Sequence, residues 1–151
     1  MANVLIGVDG RAARATSSIY HFLFPVPVVC FLGALATDIV YVSSEFVMWL
    51  NFSQWLIAAG IAFGVLAGVA LLVELISRRT LRGAASGWMH VAFFYAGLAV
   101  EVFNALMHTA DGYTAVVPVG MALSAIGAVL MLAAAVSLAR VPVRVIEARR
   151  F

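Results

Sequence analysis

Seven polar side chains interrupt otherwise oily stretches of this chain: His21, Asp38, Glu74, His90, Glu101, Asn104 and His108. Imidazoles ligate metals and move protons near neutral pH, and carboxylates do the second. Polar groups at membrane depth are costly, so each needs a partner or a task. Glu74 has a simple one, an ion pair with Arg78 one turn on. The others fall into two sets.

The first set is His21 and His90. Each lies one to two turns inside an apolar segment. Two histidines at matched depth on parallel helices form the arrangement that bis-histidine haem ligation in a helical bundle requires. Gly97, two turns beyond His90, would leave room for a flat ring, and Arg14 and Arg82 could reach the propionates of a haem b. The same arginines also serve simply to set topology. Pro25 cannot donate to the carbonyl of His21, so the first helix should bend or open there. Phe24 and Val26, each before a proline, should avoid the α region.

The second set is Asp38, Glu101, Asn104 and His108. On a helix turning about 100° per residue, His90, Gly97, Glu101, Asn104 and His108 share an arc of about 60°. One face of that helix is therefore polar and should turn inward. His108 lies about 27 Å beyond His90 along the axis. Asp38 reaches a similar level, although an ideal helix points it about 100° away from His21. This cluster suits proton exchange, polar head-group binding, or a hydrogen-bonded seam between helices.

The elements that must carry these residues are clear from composition. The chain has 151 residues, 65% of them hydrophobic and 11% charged. A soluble surface needs more charge than that. About 20 apolar residues span a bilayer core. Four segments qualify: Ser17 to Val42, Ser53 to Ile76, Ala84 to His108 and Ala115 to Leu138. Short connections make successive helices antiparallel neighbours. The expected fold is an all-α, up-down-up-down four-helix membrane bundle over residues 17–140, between an N-terminal segment 1–16 and a basic tail 141–151. The opening residues lack the features of a secretory signal, so they should be retained.

All nine basic residues are arginines. They lie before the first span, between the second and third, and after the fourth. By the positive-inside rule both termini and the middle loop are cytoplasmic. Gly60, Gly64 and Gly68 make a smooth stripe on the second span, and Gly120, Ser124 and Gly127 a weaker one on the fourth; such stripes mainly serve helix packing. Cys30 has no partner in the chain for a disulfide. No nucleotide loop, catalytic triad or nucleic-acid site is present, and the tail suits an anionic lipid surface.

The stretch "YHFLFPVPVVCFLGALATDIVY" resembles the opening of the bacterial membrane family known as domain of unknown function 2231. The resembling residues are His21, Phe24-Pro25 and Asp38. Gly64, Gly68 and Glu74 match the family's second helix, and His90 and Asn104 its third. The likeness covers roughly residues 17–140. It departs at Phe22, where the family usually has proline directly after the histidine. Some members look fused to cytochrome c or Rieske-type domains. The resemblance therefore implies a redox context and favours a haem b between His21 and His90.

Three functions follow as expectations. One is an electron-transfer protein of the bacterial inner membrane, working with quinone or a redox partner. Another is an accessory subunit of a larger complex or homo-oligomer. The third is a small proton or solute carrier using Asp38, Glu101 and His108. An enzyme is the lesser expectation.

Overall fold

The computed structural model describes residues 19–77, 85–109 and 116–141. Arg14, Arg78, Arg82 and most of the basic tail lie outside them. The described residues form five helices: α1 (Ile19–Leu23), α2 (Pro25–Ser44), α3 (Val47–Ser77), α4 (Ala85–Met107) and α5 (Val119–Ala139). Counting α1 and α2 as one span, four helical segments are long and apolar enough to cross a membrane.

The division between α1 and α2 follows from Pro25, which opens α2 where its missing N–H is no loss. Phe24 does not avoid the α region as expected. Its φ of −57° and ψ of −38° are helical, and its N–H still bonds to Tyr20 O at 2.8 Å. Packing of the Phe24 ring against Tyr20, His90 and Phe94 fixes it there. The bend is thus a local break in the hydrogen-bond ladder. At the other end of α2, Glu45 takes a left-handed cap with φ 57°, and its N–H bonds to Tyr41 O at 2.7 Å. That reversal lets α3 begin at Val47, six residues earlier than the apolar run suggests. Its first turns carry Trp49, Phe52 and Trp55, aromatic residues suited to a membrane–water boundary. α5 starts later than expected, after Pro118.

Buried positions in the first span are Tyr20, Phe24, Pro27, Phe31, Ala34, Asp38 and Tyr41. In α4 they are Gly87, His90, Phe94, Gly97, Glu101 and Asn104, followed by His108. Both series alternate steps of three and four, the spacing of a narrow seam in a helical bundle. The two seams meet in constant register: Tyr20 touches His90 and Asp38 touches His108, both pairs 70 residues apart. The first span and α4 therefore run parallel. The starts of α3 and α5 reach the ends of α2 and α4 through Ser53 and Ser124, so consecutive spans are antiparallel.

The glycine stripe of α3 accommodates neighbouring side chains. A methyl on Gly60 would strike the Phe31 ring, one on Gly64 would lie 2.7 Å from Leu98, and one on Gly68 would lie 3.3 Å from Tyr95. Tyr95 also donates to Gly68 O at 2.8 Å. The stripe's role is helix packing, as the sequence suggests.

Candidate functional site

Two polar layers lie inside the bundle, one toward each end. The first is built on His90. The start of α4 places it opposite Tyr20 of α1 and Ala134 of α5. Its Nδ1 lies 2.8 Å from Ala134 O. A carbonyl only accepts, so Nδ1 carries the proton. Nε2 is hydrogen-bonded to the Tyr20 hydroxyl. Tyr20 and Phe94 are fully buried and Phe24 nearly so, and all three rings pack around the imidazole. Both ring nitrogens of His90 are thus engaged.

His21 is not part of this layer. Depth matching with His90 is real, but the inward residue is its neighbour Tyr20, while His21 is exposed on the outer face. Gly97 is also filled: a methyl there would meet Met131 Cε at 3.2 Å and Leu130 Cβ at 3.3 Å. This packing does not fit a haem held between His21 and His90. Arg14 and Arg82, the expected propionate partners, lie outside the described residues. Among the described residues no group of three or more His, Cys, Asp or Glu could hold a metal ion.

The second layer gathers all four residues of the expected polar cluster. His108 Nε2 lies 3.1 Å from Asp38 Oδ1. His108 Nδ1 lies 3.0 Å from Asn104 O, one turn back on its own helix, and must donate to it. A second proton therefore sits between Nε2 and Oδ1. It belongs either to an imidazolium beside a carboxylate or to a carboxylic acid beside a neutral ring. Ser124 Oγ donates to Asp38 Oδ2 at 2.5 Å. The Asn104 amide forks, giving one N–H to Ser124 Oγ at 2.8 Å and one to Glu101 Oε2 at 3.0 Å. Ser53 Oγ stands 3.4 Å from His108 Nε2. Asp38, Glu101, Asn104, Ser53 and Ser124 have no exposed surface, and His108 has 1%.

Small apolar groups seal this layer along the axis. Tyr41, Leu50 and Val116 pack together one turn beyond it. On the other side, Phe31, Phe94 and Met131 separate it from His90. A cleft of about 430 Å³ between α3 and α4 is lined by Gln54, Ile57, Ala58, Ala105, His108 and Thr109. Gln54 Nε2 donates to His108 O at 2.5 Å, tying the cleft wall to the layer.

The structure brings together Asp38, Glu101, Asn104 and His108, the cluster expected from the sequence, and adds Tyr20, Ser53 and Gln54 as partners that the sequence reading missed. Tyr20 carried a readable signal. It precedes Asp38 by 18 residues, five full turns, and His90 precedes His108 by the same interval. Ser53 and Gln54 carried none, since only the start of α3 brings them in.

The family model described as "Predicted membrane protein (DUF2231)" matches residues 18–143. The chain belongs to this family. With four helices of spanning length, it is a multi-pass membrane protein. No curated protein and no solved structure matches it.

Proposed function

We propose that this DUF2231 member is a small proton-handling carrier of the bacterial inner membrane whose working centre is the Asp38–His108 pair. The observation that carries this reading is the buried contact between His108 Nε2 and Asp38 Oδ1. Asp38 and His108 are buried, they are bonded to each other, and the fixed direction of the Nδ1 bond leaves one exchangeable proton between them. Ser53 and the α3–α4 cleft lie on the side from which it can exchange. The Asn104 amide cannot pass a proton on by itself, so the centre is a loading site rather than one end of a continuous wire. By the positive-inside rule this layer would lie toward the outer face of the membrane.

The test is proton uptake by protein reconstituted in liposomes containing a pH-sensitive dye. Wild type and His21→Ala take up protons after an acid pulse. Asp38→Asn and His108→Gln lose most of that uptake while remaining folded. Equal uptake in all four, or none in wild type, contradicts the reading. The visible spectrum of the same preparation addresses electron transfer. A Soret band lost in both His21→Ala and His90→Ala would favour that function instead.

A further inference from the structure

Two oxygens buried at the centre of the bundle find no partner among the described residues: Glu101 Oε1 and Asn104 Oδ1. Both side chains are completely buried. Orphan acceptors of this kind are rare in folded proteins and ask for an explanation. These two lie one turn apart on α4, in side chains already joined by the 3.0 Å bond from Asn104 Nδ2 to Glu101 Oε2.

The surroundings make the lack of a donor acute. Glu101 enters a slot that exists because residue 127 is glycine: an ideal Cβ there would lie 2.7 Å from Glu101 Cδ and would strike Oε1. The carboxyl therefore rests against the backbone of α5. The titratable groups facing it are Asp38 of α2 and His108 of α4. From α5 come Gly127 and Ser124, and from α3 the nearest polar group of the layer is Ser53. The only arginine among the described residues, Arg140, lies just past the far end of α5. One amide N–H is thus all that the described chain gives a buried carboxyl, and an unneutralised carboxylate in such a place is strongly disfavoured.

We propose that Glu101, seated against Gly127 beside Asn104, is a second loading site that takes up one proton. A proton supplies the missing donor. The Asn104 fork ties this site to the first one. When Glu101 is neutralised it holds its amide hydrogen less strongly, and Asn104 is freer to support the Ser124–Asp38 bond. That coupling rests on the proton-handling reading of Asp38–His108; occupancy of Glu101 does not.

Occupancy is tested without any transport assay. Protein in bilayers is treated with dicyclohexylcarbodiimide, which adds to a protonated carboxyl. The acid proton moves to a carbodiimide nitrogen and the carboxyl oxygen bonds to the central carbon. Mass spectrometry should find the adduct on Glu101, lost in Glu101→Gln and kept in His21→Ala. Infrared spectra should show a protonated-carboxyl band lost in the same variant. Both signals should strengthen as the buffer is made more acid. Either signal on Glu101 supports the site. Absence of both at acid pH overturns it. If the Glu101 signals appear but Asp38→Asn leaves proton uptake unchanged, the loading site stands and the wider carrier function fails.

Discussion

Asp38 and His108 stabilise each other only as a pair. Removing one partner leaves a buried group without its counterpart, which costs about 3–5 kcal/mol. Asp38→Asn and His108→Ala should each lower unfolding stability in mixed micelles by that order. Replacing both with leucine should restore much of the loss, because apolar residues can substitute for a buried pair. Proton uptake should remain absent in that double variant, which separates stability from function. At the other layer, Tyr20→Phe removes the hydroxyl bonded to His90 and should cost about 1–3 kcal/mol. His21→Ala should stay within about 0.5 kcal/mol of wild type, since His21 faces outward. The same unfolding measurement checks both. Residue chemistry was legible where one helix carried it: the polar arc of α4 could be counted from the sequence. Between His21 and Tyr20 the residue types misled, because a histidine attracts a metal-site reading that an adjacent tyrosine does not. Phase relative to Asp38 decides the matter, and it favours Tyr20.

At the scale of elements, small residues set how closely the helices approach. Gly127→Ala forces a methyl into the Glu101 carboxyl, and overpacking of this kind costs about 1–3 kcal/mol. Shortening the side chain in the same protein, with Glu101→Ser, should recover stability, as read by thermal unfolding in detergent. Glu45, in a left-handed cap, offers the reverse. Glu45→Gly should raise stability by about 1 kcal/mol, because glycine adopts that conformation without a Cβ penalty. The four spans were readable because apolar length is a strong signal in membrane proteins. Their ends were less so. Hydropathy cannot see that the Glu45 cap lets α3 begin at Val47, or that Pro118 delays α5. Nor does the bias against helix before proline outweigh the packing of Phe24 among three rings.

For the whole molecule, parallel packing of the first span against α4 in a fixed 70-residue register brings the two layers together. No single segment of sequence contains that register. The apolar block of Phe31, Phe94 and Met131 between the layers argues against an open path through the bundle. It is consistent with loading from one side through the α3–α4 cleft. By the positive-inside rule that side would be the exterior. Cysteine placed at Glu45 should therefore react with an impermeant thiol reagent in intact cells, and cysteine at the exposed Ala85 only after permeabilisation. The account stands or falls on whether the buried Asp38–His108 proton exchanges. Solid-state NMR of protein with ¹⁵N-labelled histidine in bilayers reads this directly. His108 should keep its Nδ1 proton and change state at Nε2 as pH is varied, and Asp38→Asn should abolish that change, while His90 stays neutral with its proton on Nδ1. A His108 ring unaltered by pH, or altered identically in Asp38→Asn, would contradict the account.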